Sequence, residues 1–208
     1  MGSRESPESR EDFPLRLIDF AALRRRLAER PRVSFDVPGH RRAAVLVPLL
    51  ERDGETRILF TLRSAALRKH SDQWSFPGGG TDDSDEGAVS TAVREAREEV
   101  GIDPASVEVI GLLGDVPTPT GYTITPVVGR VDPPPAAYVP SADEVAEILE
   151  VPLSSVGTAA VRGTVERWGQ TFQILAFDVE GRNVWGATAR ILQDLLLAIN
   201  SALASPTT

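Results

Sequence analysis

A single helical segment, residues 86–100, interrupts a series of strand-like segments in the middle of this chain. Apolar residues recur along it at helical spacing from Ala88 to Val100, and Gly101 follows as a C-cap residue. A helix with one apolar stripe has to bury that stripe, and the flanking strands offer a sheet that can receive it. The sequence therefore predicts an α/β fold in which helices cover a mixed sheet.

Strand-like segments lie on both sides of this helix, and further helices are predicted near the two ends of the chain. The Asp53-Gly54 pair between the first two strand candidates has the composition of a tight hairpin turn. Apolar residues at helical spacing predict helices over 17–30 and over 185–203, with Trp185 in the first turn of the latter. The strand candidates are 43–50, 56–63, 106–114, 122–131, 145–153 and 171–179.

Three glutamates of the central helix fall on one side of it. At about 100° per residue, Glu95, Glu98 and Glu99 share an arc of about 100° beside the apolar stripe. Arg94 and Arg97 are expected to point away from them. Most runs of charge form a solvated face, but Glu95 and Glu99 are a like-charged pair that repels. Converging carboxylates suit a hard divalent cation such as Mg²⁺ or Mn²⁺, so the cluster predicts a metal site.

Glu86 lies on the opposite side of the helical wheel, about 180° from Glu95. An acidic residue near a helix N-terminus is favoured by the helix dipole. Pairing with Arg94 is a second explanation for its presence. We therefore assign Glu86 a structural role.

Composition restricts the location and the partners of the chain. The formal net charge of −8 argues against a nucleic-acid-binding protein, which needs clustered Lys and Arg. No apolar run approaches the roughly 20 residues that cross a bilayer, and a cytoplasmic location is the default expectation. Residues 1–14 have the composition of a disordered tail, 15–202 form one domain, and 203–208 form a C-terminal tail. A monomer and a homodimer remain open.

The spacing of the acidic residues resembles the Nudix signature, G-x5-E-x7-R-E-U-x-E-E-x-G-U, in which U is a bulky aliphatic residue. Gly80, Glu86 and the run REAREEVGI occupy every fixed position of that signature. The one departure is Ala96, a small side chain at a U position. The resemblance implies a Nudix-type α/β/α sandwich with a central mixed β-sheet and additional N-terminal and C-terminal helices. It also implies hydrolysis of a nucleoside diphosphate linked to another moiety.

The same resemblance implies roles for individual residues. Glu95, Glu98 and Glu99 would hold Mg²⁺ or Mn²⁺, with the backbone of Gly80 nearby. Together with Arg94 they would form the catalytic part of the site. The small nucleotide substrate would be the partner of these residues.

The segment before the signature, LFTLRSAALRKHSDQWSFPGGG, is more particular. It resembles the motif that precedes the Nudix signature in coenzyme A diphosphatases, L-L-T-x-R-S-x3-R-x3-G-x3-F-P-G-G. Phe60 replaces an aliphatic residue, and Asp72 stands where the family has Gly. The resemblance implies cleavage of coenzyme A or acyl-CoA to 4′-phosphopantetheine, or its acyl derivative, and adenosine 3′,5′-bisphosphate.

Two arginines and two glycines of this motif are candidate substrate contacts. Arg63 and Arg68 have the forked donors that suit phosphate, although surface ion pairs explain them equally well on composition alone. Gly78 and Gly79 allow the backbone to approach metal or phosphates closely.

The general base and the exact substrate remain open at the level of sequence. Glu98 within the signature is one candidate base, and Glu144 and Glu147, around the start of the strand candidate 145–153, are two others, because a base has to reach the attacking water. ADP-ribose, NADH and dinucleoside polyphosphates are alternative substrates. A non-catalytic nucleotide-sensing domain is a further alternative, which the complete set of glutamates disfavours.

Overall fold

The computed structural model describes residues 17–64, 73–157, 159–167 and 170–203. The tails expected at 1–14 and 203–208 lie outside these ranges, apart from Leu203, which ends the last helix. Within the described ranges, no helix is both long and apolar enough to cross a membrane.

Three helices and eleven strands make up the described chain, together with two short 3₁₀ turns. In chain order they are α1 (Phe20–Glu29), β1 (Arg41–Arg52), β2 (Glu55–Arg63), β3 (Trp74–Ser75), β4 (Gly78–Gly80), α2 (Ala88–Val100), β5 (Val107–Leu112), β6 (Val116–Pro117), β7 (Tyr122–Val131), β8 (Val145–Pro152), β9 (Ala160–Arg167), β10 (Gln170–Val179), β11 (Arg182–Trp185) and α3 (Ala187–Leu203).

The main sheet contains the first eight strands. Its central order is β3-β2-β1-β7-β5, with β4 paired to β1, β6 to β7 and β8 to β2. Strands β1 and β7 run parallel, whereas the other pairs are antiparallel, so the sheet is mixed as predicted. The β1–β2 hairpin turns at Asp53 and Gly54, whose φ values of 56° and 75° are those of the expected tight turn.

Helix α2 covers one face of this sheet, and α1 and α3 cover the other. Ala92, Ala96 and Val100 of α2 are fully buried against apolar residues of β1, β2 and β7. Leu23 and Leu27 of α1 join α3 in the larger core on the opposite face. The predicted sandwich of helices around a central mixed sheet is confirmed.

The ends of α2 agree only in part with the sequence-based expectation. Gly101 adopts φ of 75° and its N–H caps carbonyls of the last turn, which confirms the predicted C-terminal end. At the other end the helix starts at Ala88, so Glu86 precedes it. Val89, one of the apolar residues between Ala88 and Val100 that were expected to be buried, is 38% exposed.

A second sheet was not expected. Strand β10, predicted as part of the main sheet, is instead the central strand of an antiparallel sheet ordered β11-β10-β9. Phe177 and Val184 of this sheet pack into the core beside α3. Trp185, predicted in the first turn of the last helix, ends β11 and is 45% exposed. Strands β9, β10 and β11 follow one another along the chain and pair as a local antiparallel series. An apolar pattern indicates which residues are buried but not which strand they pair with.

Candidate active site

Strand β4 brings a run of three glycines directly against β1 and α2. It pairs with β1 opposite Ala43–Val45. A Cβ atom on Gly78 would lie 2.4 Å from the carbonyl oxygen of Ala44, and one on Gly79 would lie 2.5 Å from Oε1 of Glu95. Gly80 has nothing within 4 Å of that position. Glycine is therefore required at Gly78, where the neighbour is rigid backbone, whereas at Gly79 a larger residue would displace the end of the Glu95 side chain.

The three glutamates of α2 lie at different depths. Glu99 is 6% exposed, and its Oε2 accepts a hydrogen bond of 3.1 Å from the backbone N–H of Gly78. The side chain of Glu95 is 15% exposed, and that of Glu98 is 56% exposed. The predicted arc of carboxylates thus runs from the sheet surface out to solvent.

Arg94 contacts the carboxylates that it was expected to avoid. Its Nη1 donates to Oε1 of Glu95 and to Oε2 of Glu98, each at 3.0 Å. Its Nη2 donates to the carbonyl oxygen of Gly80 at 3.1 Å. The prediction that Arg94 points away is wrong, because a long arginine side chain can extend along the helix surface and reach the residue at i+4. Arg97 is exposed.

Asp85, which the sequence reading did not single out, is the main anchor of Arg94. Its carboxylate accepts hydrogen bonds from Nε and Nη2 of Arg94 at 3.1 and 2.9 Å, and from the Thr91 hydroxyl. The hydrogen bonds from Arg94 hold the pKa of Asp85 well below its usual range. The pairing considered for Glu86 is thus made by its neighbour. Glu86 itself is exposed, and its structural role stays a prediction.

Burial has a strong effect on the innermost carboxylate. Desolvation raises the pKa of Glu99 from 4.5 to about 7, against the opposing effects of the Gly78 N–H and the charge of Arg63. The negative charges of Glu95 and Glu144 raise it further. Burial also raises the pKa of Glu95. The site therefore concentrates negative charge that a cation would stabilise.

The donor set fits a hard divalent metal ion. Three oxygens predicted as ligands, from Gly80, Glu95 and Glu98, all accept hydrogen bonds from the single guanidinium group of Arg94. These three oxygens therefore surround the positive charge of one side chain, the guanidinium group of Arg94. Across the ranges that the structure describes, no group of three or more His, Cys, Asp or Glu side chains already encloses an ion position. Anionic oxygen donors are those that Mg²⁺ and Mn²⁺ prefer.

The other candidates differ in their distance from these carboxylates. Arg63 lies close enough for its charge to lower the pKa of Glu99, and its buried Nε has no hydrogen-bond partner among the described residues. Besides burial, the charge of Glu144 raises the pKa of both Glu95 and Glu99. Glu147 instead forms an ion pair of 3.0 Å with Arg182 of β11.

Arg68 lies outside the described residues, so its predicted contact with substrate stays a prediction.

Alanine substitutions in the glycine run are expected to separate folding from activity. Gly78→Ala should lower the melting temperature strongly, because the new Cβ atom meets rigid backbone of β1. Gly79→Ala should keep the fold and lower kcat, because its Cβ atom displaces only the end of the Glu95 side chain. Gly80→Ala is the matched control for stability. Thermal unfolding and turnover of each variant test this, and equal melting temperatures for all three would contradict it.

The metal-free protein is expected to lose stability as the pH rises from about 4.5 to about 7. Glu99 keeps its proton to a higher pH when folded than when unfolded, so the folded state binds more protons in this window. The free energy of unfolding should therefore fall by an amount on the order of 3 kcal/mol. Urea denaturation at a series of pH values, in the presence of chelator, measures it.

Substituting Glu99 tests the cause of this slope. Glu99→Gln removes the titrating carboxyl group, so its stability should change much less over the same window. Glu98→Gln is the matched control, since that carboxylate is mostly exposed and should leave the slope of the parent protein in place. A slope that persists in Glu99→Gln would show that another group causes it.

Comparisons with known proteins agree with the geometry. The profile of the NUDIX domain matches residues 40–162. The uncharacterized Nudix hydrolase NudL of Citrobacter koseri is 43% identical over 191 residues, which cover 91% of this chain and 97% of that protein. NudL of Escherichia coli (strain K12) is 42% identical over 172 residues, which cover 82% of this chain and 88% of that protein.

A solved structure shows the same fold. The crystal structure of RenU, a Nudix hydrolase from M. smegmatis, has a TM-score of 0.54 at 20% sequence identity and covers 82% of this chain and 90% of that chain. Nudix hydrolases generally use divalent metal ions such as Mg²⁺ or Mn²⁺ and act on small nucleotide substrates. With the signature, the glutamate helix and the profile match in agreement, the chain belongs to the Nudix family and is a pyrophosphohydrolase of nucleoside diphosphate derivatives.

Proposed function

We propose that the protein is a metal-dependent hydrolase that cleaves the diphosphate of coenzyme A or acyl-CoA. The products are 4′-phosphopantetheine, or its acyl derivative, and adenosine 3′,5′-bisphosphate. The observation that carries the proposal is Arg63, at a fixed position of the coenzyme A diphosphatase motif. Its buried Nε lacks a hydrogen-bond partner among the described residues, and its charge acts on Glu99.

An unpaired buried donor is costly unless a partner arrives. A phosphate group of the substrate provides that partner, because phosphate oxygens match the forked donors of arginine. Arg63 would thus bind a substrate phosphate beside the carboxylates of α2. Arg68 is proposed as a second phosphate contact, in keeping with the motif.

The metal ligands follow from the donor set. Glu95, Glu98 and Glu99, with the carbonyl oxygen of Gly80, would hold Mg²⁺ or Mn²⁺. When bound, such an ion polarises phosphoryl oxygens and lowers the pKa of a coordinated water. Arg94 orients two of the carboxylates through its hydrogen bonds to Glu95 and Glu98.

Glu144 is the residue that we propose as general base. Glu98 is engaged by Arg94, and Glu147 is engaged by Arg182. No cationic side chain in the described part of the chain pairs with Glu144, and its charge acts on both Glu95 and Glu99. Its carboxylate is therefore the most available of the three to accept a proton from the attacking water.

Turnover of a substrate panel tests the proposed specificity. Coenzyme A, ADP-ribose and NADH are compared at equal concentrations with Mg²⁺ and with Mn²⁺, and the products are identified by mass spectrometry. We expect coenzyme A to be cleaved with the highest kcat/KM, giving the two products named above. A preference for ADP-ribose or NADH would overturn the coenzyme A proposal and leave the family assignment in place.

A further inference from the structure

A cluster of charged and polar side chains lies at the edge of the main sheet, away from the glutamates of α2. The Glu150 cluster consists of Glu150, Arg52, Arg57 and Tyr138. The side chain of Glu150 is 12% exposed. Its Oε1 accepts a hydrogen bond of 2.9 Å from Nε of Arg52, and its Oε2 accepts one from the Tyr138 hydroxyl. Nε of Arg57 lies 2.8 Å from the same Oε1, as an ion pair rather than a hydrogen bond.

This cluster holds the segment 135–144, which belongs to the connection between β7 and β8, against the sheet. Arg52 also donates from Nη2 to the carbonyl oxygen of Pro135 at 2.8 Å, and the Tyr138 side chain packs against the core beneath α2. Arg52 belongs to β1 and Glu150 to β8. The start of the segment 135–144 is therefore anchored to two strands of the main sheet.

The same segment is then joined to the end of α2. The backbone N–H of Val139 donates to the carbonyl oxygen of Val100 at 3.1 Å. The N–H of Ser141 donates to the carbonyl oxygen of Glu99 at 2.9 Å. Carbonyls in the last turn of a helix lack partners within the helix, and here the segment 135–144 supplies those partners.

Glu144 comes at the end of this segment and is held on two sides. Its N–H donates to the carbonyl oxygen of Ser141 at 3.1 Å, and its own carbonyl oxygen accepts from the N–H of Ser64 at 2.9 Å. The segment 135–144 is thus hydrogen-bonded to Glu150 through Tyr138, to the last turn of α2 through Val139 and Ser141, and to Ser64 through Glu144. The N–H of Ser141 donates to the backbone of Glu99, and the charge of Glu144 acts on the carboxylate of the same residue.

We propose that Tyr138 and Glu150 are positioning residues that fix Glu144 relative to Glu95 and Glu99. Partly buried ionic groups are stabilising only when their partners are well matched, and a fully matched network restricts its members to one arrangement. On the side of the segment 135–144, Arg52 and Tyr138 both donate hydrogen bonds to the carboxylate of Glu150. The inference rests on the proposed role of Glu144, and it is independent of which nucleoside diphosphate is the substrate.

Removing one hydroxyl group tests the role of Tyr138. Tyr138→Phe should lower kcat about ten-fold and leave KM within about two-fold, because a small displacement of a base slows proton transfer more than it weakens substrate binding. The assay uses whichever substrate of the panel the protein cleaves best. Tyr122→Phe is the matched control, since Tyr122 is the other tyrosine of the chain and its hydroxyl accepts a surface contact from Arg41. That control should retain the kcat of the parent protein.

A double-mutant cycle distinguishes positioning from general destabilisation. If Tyr138 acts through Glu144, adding Tyr138→Phe to Glu144→Gln should cause no further loss of kcat. Losses that multiply in the double variant would overturn the inference, since they would show that Tyr138 acts independently of Glu144. Full activity of Glu144→Gln alone would overturn it together with the role of Glu144, whereas the choice of substrate is measured separately by the panel.

Hydrogen exchange supplies a readout that does not depend on activity. The amides of Val139 and Ser141 should exchange faster in Tyr138→Phe than in the parent protein, because the segment 135–144 has lost part of its anchor. In Tyr122→Phe the exchange rates of these two amides should equal those of the parent protein. Unaltered exchange at Val139 and Ser141 in Tyr138→Phe would overturn the proposed link between the Glu150 cluster and Glu144.

Discussion

Glu98→Gln and Glu99→Gln will each lower kcat by about 10²-fold or more while the protein stays folded, because the charge of a bound metal ion acts mainly in the transition state. Each substitution keeps the shape of the side chain and removes one negative charge from the donor set. The two substituted residues lie at different depths, since Glu99 is 6% exposed whereas the Glu98 side chain is 56% exposed. A loss of kcat in both variants would indicate that the buried and the exposed carboxylate both act as metal ligands. Steady-state kinetics with saturating Mg²⁺ measure it.

Chelation and a matched acidic residue complete this test. Activity should vanish in chelator and return on addition of Mg²⁺ or Mn²⁺. Glu108→Gln is the control, because this exposed glutamate of β5 pairs with Arg24 on the opposite side of the sheet from α2. Near-normal turnover in both Glu98→Gln and Glu99→Gln would refute the assignment of the metal ligands.

Arg63→Ala and Arg68→Ala will each reduce kcat/KM for coenzyme A by roughly ten-fold or more, because a charge-assisted hydrogen bond to phosphate contributes about 1.5–3 kcal/mol. For Arg63 the structural basis is its buried Nε beside Glu99. Arg63→Lys should recover only part of the loss, since lysine keeps the charge and lacks the planar fork. Arg97→Ala, which removes an exposed arginine of α2, is the matched control.

Dephospho-coenzyme A identifies which phosphate the arginines bind. If either arginine contacts the 3′-phosphate, its alanine variant should hydrolyse dephospho-coenzyme A, which lacks that group, almost as well as the parent protein does. Equal losses on the two substrates would place the contact on the diphosphate or the pantetheine arm. Undiminished kcat/KM on both substrates would instead indicate that Arg63 and Arg68 form surface ion pairs.

The sequence alone determined the elements that depend on local chemistry. Helical periodicity located α2, and Gly101 ended it because a residue without a Cβ atom adopts positive φ most readily. The Asp53-Gly54 pair specified the hairpin because its turn needs two residues with positive φ, which Gly adopts readily and Asp tolerates. The spacing of Glu95, Glu98 and Glu99 predicted a shared side of the helix, because a regular helix has a fixed rotation per residue.

Tertiary structure alone decided the contacts between distant segments. A helical wheel gives only the direction of each Cβ atom. It could not show that the guanidinium group of Arg94 contacts Glu95 and Glu98. Nor could it show that Arg94 pairs with Asp85 rather than with Glu86. The second sheet was missed because β10 shows the same apolar pattern whichever strand it pairs with.

The same distinction applies to the candidate bases. Glu144 and Glu147 stand three residues apart before and within one strand, and the local sequence treats them alike. Arg182 of β11 engages Glu147. Glu144 is held beside the end of α2 by its N–H, which donates to the carbonyl oxygen of Ser141, and by its carbonyl oxygen, which accepts from the N–H of Ser64. Those partners lie far away along the chain or belong to a loop without a regular pattern. A local sequence specifies which side chains are available, and only the packing of distant segments decides which of them meet.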